Sequence, residues 1–248
     1  VGSLVLMQPY FAPYIGYFGL IAKCDRFVSF DTAQFIKGGW IQRNRMLKPG
    51  GGWQYVRIPI RKAPHRVEIR QVQVADDPKW RRKMRNQLQH YRRAPHYAST
   101  MDLLRRCLDQ QASDIATFNL NALRLICVHL GLDTPIEALS DLDIDLGECA
   151  GPGDWGRVVS RECGASRYLN AIGGQALFEP ALFAQDSVEL TFLKARPQAY
   201  AQLGSPHEPW LSILDVLMFN APEQVREMCH EMDITDVAGQ PWSVPPRS

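Results

Sequence analysis

The stretch SLVLMQPYFAPYIGYFGLIAKCDRFVSF, residues 3–30, most narrows what this chain can fold into. An apolar run from Leu4 to Met7 ends at a loop bounded by Pro9 and Pro13. Ile15, Phe18 and either Gly19 or Ala22 then recur at helical spacing, and RFVSF reads as a second strand. Two strands joined by a helix-bearing crossover are the elements of a βαβ unit, and in such sheets ligands sit outside the carboxyl ends of the strands. Gln8 and Asp31 fall at those ends, which ranks them ahead of other polar residues as site candidates. The expected fold class is α/β: a Rossmann-like, mostly parallel sheet with helices, plus a basic β-hairpin and helical middle region.

The middle region is marked by its charge. Residues 35–106 hold 18 Lys or Arg against 4 Asp or Glu, a net of +14, while the rest of the chain holds 10 against 22, a net of −12. Such a segment suits an anionic partner, a phosphate, a nucleotide or RNA, unless it folds against the acidic stretch from Asp133 to Asp154. WQYVRIPI (53–60) and RVEIRQVQV (66–74) alternate apolar with polar residues and are expected to form a hairpin or adjacent half-exposed strands. In PKWRRKMRNQLQHYRR (78–93), Trp80, Met84, Leu88 and Tyr91 make one apolar helical stripe. Its other faces carry Lys79, Arg81, Arg82, Lys83, Arg85, Arg92 and Arg93, either a solvated face or a nucleic-acid surface.

Residues 95–131 read as core helices ending at Gly131 as a C-cap, and a short strand follows around Ile136 to Leu139. GPGDWG lacks P-loop spacing and reads as a turn before a helix that starts at Asp154. SRYLNAIGG, QALFEPALFAQ and VELTFLKA form another alternating unit, and two helices follow, the second with Pro222 in its first turn. Residues 1–240 are expected to be a single α/β domain and residues 241–248 a disordered tail.

Hydrophobic residues make up 46% of the 248 residues, ordinary for a globular protein. No apolar run is long enough to span a bilayer, and VGSLVLMQPY lacks the regions of a signal peptide, so a cytoplasmic protein with no membrane insertion is expected. The six cysteines show no CxxC pair and no metal-ligand spacing, so free thiols and no metal are expected.

DTAQFIKGGWIQRNR (31–45) is the densest candidate site. Gly38 and Gly39 permit close backbone approach, Arg43 and Arg45 can grip phosphate or carboxylate, Lys37 is a mobile charge and Trp40 offers a flat face. Asp31 can take a proton from an amine and Asn44 can fix its orientation. The alternative is a strand-end loop whose Trp and Ile pack down and whose cations are solvated.

LMQPYFAPYIGYFGLIAKCDRFVSFDTAQFIKGGWIQRNRM resembles the opening of the WbqC-like family, bacterial proteins often encoded with O-antigen and other surface-glycan genes. The likeness continues through WRRKMRNQLQHYRRAPHY, SRYLNAIGGQALF and AYAQLGSPHEPWLSILDVLMFN. It implies functional positions at Gln8, Asp31, Gln34, Lys37, Trp40, Arg43 and Asn44, then at Tyr168, Tyr200, Gln202 and Asp215. Thr32, Asn170, His207 and Glu208 depart from the family pattern. The resemblance implies a transferase that places glycine on an amino sugar. The expected assignment is then Asp31 as base or amine-orienting group with Gln8 and Asn44 as its partners. Lys37 and Arg43 would hold phosphates, Trp40 would shape the pocket, Gln34 would bind substrate, and Tyr168, Tyr200, Gln202 and Asp215 would complete it. No cofactor is certain; the donor is expected to be an aminoacyl-tRNA or an adenylate made from ATP with Mg²⁺. The acceptor is expected to be a nucleotide sugar or other small amine. A non-catalytic binding protein for a nucleotide sugar or tRNA, and an ATP-dependent ligase of Rossmann-like type, are the alternatives.

Overall fold

Leu4, Val5 and Leu6 are all buried, although alternate residues of a strand point to opposite faces. Their strand is therefore covered on both sides, as a central parallel strand must be. The computed structural model describes residues 2–147, 149, 151–196, 198–204 and 206–242. In chain order it contains β1 (Ser3–Met7), α1 (Ile15–Ala22), β2 (Arg26–Ser29), β3 (Arg43–Leu47), β4 (Trp53–Arg57) and α2 (Lys79–Gln87). There follow α3 (Tyr97–Leu108), α4 (Ile115–Leu130), β5 (Ile136–Ala138), α5 (Asp154–Glu162), β6 (Arg167–Ala171) and α6 (Pro180–Gln185). The chain continues with β7 (Glu189–Lys194), α7 (Ile213–Phe219), α8 (Pro222–His230) and β8 (Asp233–Thr235).

Six strands form one sheet in the order β5-β2-β1-β6-β7-β8, parallel throughout except for β8, which runs antiparallel to β7. By order of joining the sheet this is 3-2-1-4-5-6, the Rossmann arrangement. Val5 and Phe27 face the larger apolar cluster beneath α1 and α8. Leu4, Leu6 and Val28 face the smaller one beneath α5 and α6. Gly156 lets α5 lie on β6, because a Cβ there would stand 2.3 Å from the Tyr168 ring. Gly131 caps α4 at φ 68°, as its sequence position suggested.

The hairpin pairs differently from the sequence expectation. β4 pairs with β3, residues 43–47, and not with residues 66–74. The turn is made by Gly50, Gly51 and Gly52, whose φ values of 87°, 111° and 70° suit glycine alone. Residues 66–74 contain a 3-10 turn at Ile69–Gln71 and only isolated bridges to Gln34, Ile60 and Asp114. The apolar residues of the basic segment, Trp80, Met84, Leu88 and Tyr91, are buried as expected, but they do not lie on one helix: α2 ends at Gln87 and Tyr91 lies in a 3-10 turn over Gln89–Arg93. Pro241 and Trp242, expected in the disordered tail, are held in the fold: Pro241 bridges to Thr235, and Trp242 Nε1 donates to Glu189 Oε1 at 2.6 Å. Residues 243–248 lie outside the described residues.

What fixes the end of β1 is a row of buried side chains that donate to loop carbonyls. Tyr17 Oη donates to the Gln8 carbonyl at 2.7 Å, and Asn119 Nδ2 from α4 donates to Pro9 at 2.8 Å and to Ile41 at 2.7 Å. Asn44 Nδ2 donates to Phe11 and Ala12, each at 3.0 Å, and Ser212 Oγ donates to Ala12 at 2.6 Å. The Pro13 carbonyl accepts from the Ile213 amide at 2.8 Å. The clamp holds Ala12 at φ 39°, a conformation a non-glycine residue keeps only when its surroundings enforce it. Asn119→Ala leaves two loop carbonyls without their buried donor, so unfolding in urea should show a loss of about 2–4 kcal/mol with an unchanged m-value. A loss below about 0.5 kcal/mol, the range of surface substitutions, would mean the loop is held without it.

Candidate functional site

β1 and β6 pair only at Ser3↔Arg167 and Leu4↔Tyr168, and toward their carboxyl ends they part. The strand order reverses between them, which is where open α/β sheets admit ligands. The Leu6 carbonyl accepts from the Tyr168 hydroxyl at 3.3 Å, and that hydroxyl accepts from Asn170 Nδ2 at 2.7 Å. Two adjoining hollows open here, about 550 Å³ and 330 Å³, sharing Met7, Tyr10, Ala171 and Gly173 as their common wall. The larger is bounded by Tyr14, Trp40, Asn44, Arg45 and Trp210. The smaller is bounded by Gln8, Phe30, Trp155, Tyr168, Asn170 and Phe178. A larger hollow of about 760 Å³ lies elsewhere, between the amino ends of β1 and β6 and the β7–β8 side of the sheet. Arg196 pairs with Asp233 there, and Asp25 accepts from Ser3.

Of the residues expected in one pocket, Gln8, Trp40, Asn44 and Tyr168 line this cleft. Asn44 is not free to act on a ligand through its amide nitrogen, which holds the Phe11 and Ala12 carbonyls, and its Oδ1 accepts from the Arg45 amide at 2.8 Å. Lys37 and Gln34 are exposed outside the cleft, with Gln34 bridged to Glu68. Arg43 is half-buried with its guanidinium 4.0 Å from the centre of the Tyr55 ring.

Asp31 does not reach the cleft. Its carboxylate accepts from the Ser140 amide at 3.1 Å and from the Ser140 hydroxyl, tying the end of β2 to the turn after β5. It lines a separate hollow of about 270 Å³ beside Arg70 and Arg124. Tyr200, Gln202 and Asp215 also stand apart from the cleft. Asp215 is fully buried and accepts from Tyr91, from Tyr200 at 2.7 Å and from Gln202 at 3.2 Å. Tyr91 in turn accepts from the Leu47 amide at 2.7 Å, so this network seats the end of β3 on the helices.

The sequence reading passed over Tyr10, Tyr14, Trp155, Asn170 and Trp210 as cleft residues, and gave Arg45 only a general anion-gripping role. Arg45 Nη2 donates to the Trp210 carbonyl at 3.0 Å, and its guanidinium lies 5.5 Å from the Trp40 ring centre and 5.4 Å from that of Trp53. Trp210, at φ 60°, meets Tyr14 edge-on at 5.8 Å. Arg45 is the only cation among the described lining of the two hollows, and neither lining includes Asp, Glu, His or Cys. Burial raises the Tyr10 and Tyr14 phenols, leaving both as protonated donors at neutral pH. It also pushes the Cys107 and Cys229 thiols up to about 12, far from nucleophilic. Among the described residues no group of three His, Cys, Asp or Glu could hold a metal ion, and no helix is long and apolar enough to cross a membrane.

The cations of α2 and of the 3-10 turn that follows it, Gln89–Arg93, divide. Arg81 Nε donates to the Leu108 carbonyl at 2.6 Å and Arg85 lies 3.5 Å from Asp109, so both brace the end of α3. Lys79, Arg82, Lys83, Arg92 and Arg93 are exposed and form no ion pair among the described residues. Within the acidic stretch, Glu137 pairs with Arg26 and Asp154 with Arg157, so neither of these acids neutralises the basic segment.

Burial, the largest influence, raises the Asp215 carboxyl above its ordinary value against the lowering effect of its hydrogen bonds. The folded chain then holds that proton more tightly than the unfolded chain. This contribution is fully present below about pH 4 and is lost as pH rises through the raised native value. The stability of wild type relative to Asp215→Asn, measured by urea unfolding, should therefore fall as pH increases from about 4. A difference that does not change with pH would show that burial does not control this carboxyl.

The model of the WbqC-like protein family matches residues 8–227. A Mycobacterium tuberculosis (strain ATCC 25618 / H37Rv) protein, described as uncharacterized protein Rv1507c, is 28% identical over 232 residues, covering 90% of this chain and 97% of its own. No solved structure matches the chain. With the family match running from the end of β1 to α8, through both walls of the cleft, the chain belongs to the WbqC-like protein family.

Proposed function

We propose that the protein is an acyl-group transferase of glycyl type, forming an amide on a small amine such as a nucleotide-linked amino sugar held at the switch-point cleft. The observation that carries this reading is the division of the cleft into two unlike halves across one shared wall. The larger half offers one guanidinium, Arg45, with the rings of Trp40, Trp210 and Tyr14, a set suited to the nucleotide end of an activated donor. The smaller half offers the Gln8 amide, Asn170 Oδ1 and the Trp155 ring, a set suited to sugar hydroxyls and a ring face.

In the reaction the acceptor nitrogen forms a bond to the activated carbonyl carbon, the bond from that carbon to the donor's oxygen breaks, and the amine proton passes to the departing oxygen. The described lining supplies no carboxylate or imidazole for that transfer, so rate comes from holding amine and carbonyl together in the cleft. Gln8 and Asn170 orient the acceptor. Arg45 fixes the donor's phosphate, and Tyr10, in the shared wall, can donate to the oxygen that gains charge. The same lack of a titratable base favours a second reading, a non-catalytic binding protein for the nucleotide sugar.

Thermal shifts with amino-sugar nucleotides and with AMP, each at about 100 times Kd, should stabilise the fold by about 2.7 kcal/mol. The sugar nucleotide's shift should be lost in the Gln8→Ala, Asn170→Ala double variant and kept in Arg45→Gln, with the reverse pattern for AMP. Equal losses in both variants would sink the two-half assignment. Specific shifts without amide product, whether from charged tRNA or from glycine with ATP and Mg²⁺, would select the binding protein.

A further inference from the structure

The β3–β4 ribbon turns one face inward and one outward. Asn44, Met46 and Val56 are buried, whereas Arg43, Arg45, Tyr55, Trp53 and Arg57 alternate with them and are half-buried or exposed. Arg43 stands directly opposite Arg57, and Arg45 opposite Tyr55. Like charges directly opposed across a ribbon weaken it. Here no carboxylate pairs with any of the three arginines among the described residues. Each guanidinium instead lies against a ring: Arg43 and Arg57 at 4.0 Å and 5.2 Å from the Tyr55 centre, and Arg45 between Trp40 and Trp53. Trp40 and Trp53 are 40% and 39% exposed, much for such large rings on a folded surface.

A protein without a ligand gains little by assembling guanidinium groups and open rings in this order, but a single strand of nucleic acid needs both. Its bases stack on aromatic faces and its phosphates take the cations. The face is also continuous with the cleft, since Arg45 and Trp40 belong to both. From the proposed acyl transfer, on which this step rests, we infer that the outward face of the ribbon binds the single-stranded 3′ end of an RNA that carries the acyl group as an ester. Its terminal nucleoside occupies the larger half of the cleft, and the preceding nucleotides cross Tyr55 and Trp53. The amide forms as the ester C–O bond breaks, and the proton from the amine restores the RNA's terminal hydroxyl. The exposed cations of α2 extend the field, because Gln87 Nε2 docks that helix on β4 through Gln54 Oε1 at 2.9 Å and the Tyr55 carbonyl at 3.0 Å.

The test is fluorescence anisotropy with a short 5′-labelled single-stranded RNA, the same RNA as a blunt duplex, and anionic phosphatidylglycerol vesicles. Trp53→Ala and Arg57→Ala lie outside the cleft, and each should weaken single-strand binding about tenfold or more. In Arg57→Ala the log-log salt slope should also fall by about 0.7. The duplex should bind at least about tenfold more weakly than the strand, because its bases are not free to stack. Equal affinity for strand and duplex, affinity unchanged in both variants, or binding to vesicles in place of RNA would overturn the inference. Both variants should keep the sugar-nucleotide thermal shift. If that shift stands while RNA fails, only the donor assignment falls. If RNA binds while no cleft ligand does, the ribbon's ligand stands and the acyl-transfer step falls.

Discussion

The cleft depends on the row of carbonyls that follows β1. A strand that leaves a parallel sheet presents peptide groups with no neighbour, and burying them unpaired costs as much as a lost hydrogen bond each. Tyr17, Asn119, Asn44 and Ser212 come from four different parts of the chain and satisfy the carbonyls of Gln8, Pro9, Phe11 and Ala12. Each of these side chains also ties another element to the loop. Asn119 joins α4 to the loop before β3, Asn44 carries β3, and Ser212 brings the start of α7. The ribbon is thereby fixed relative to the Rossmann sheet at the point where the sheet opens.

This explains why the polar residues that look most chemical in the sequence are not those that line the cleft. Asp31 and Asp215 are both buried carboxylates whose oxygens accept from the protein's own donors. One locks the end of β2 and the other seats β3. Removing a partner from such a group leaves a buried charge, so these residues are constrained whether or not they touch a ligand. Among the described residues the cleft itself is lined by neutral hydrogen-bonding groups, aromatic rings and one guanidinium.

Much of the scaffold was legible because it rests on short-range signals. The apolar run of β1, the helical spacing of α1 and the two-sided burial of β2 follow from residue order alone, and so does the inner stripe of α2. The hairpin was misjudged because residues 66–74 alternate as well as β3 does, while the decisive signal was the turn KPGGG with three positive φ values. The strand-end rule picked out both Gln8, which lines the cleft, and Asp31, which does not. Asn119 was not picked out, since nothing in an apolar helix marks an asparagine whose partners are 110 and 78 residues away. Trp210 and Arg45 meet across 165 residues, and that approach is set by the loop clamp. A family resemblance selects such positions without revealing whether they hold the fold or the ligand, as Asp215 and Tyr200 illustrate.

The charge imbalance along the chain gains a physical meaning from these contacts. The pairs that do form within the basic segment are local, Arg61 with Asp76, Arg70 with Glu68, and Arg105 and Arg106 with Asp102. They are exposed pairs of small energetic weight. The acidic stretch from Asp133 to Asp154 pairs Glu137 and Asp154 with Arg26 and Arg157, which lie outside the basic segment. Folding therefore leaves the ribbon arginines and the outer face of α2 without protein counter-charges among the described residues. A face of one sign carries a field of several kT and concentrates anions near it. That field meets the cleft at Arg45, where the ribbon's outward face and the opening between β1 and β6 share one guanidinium and one indole ring, Trp40.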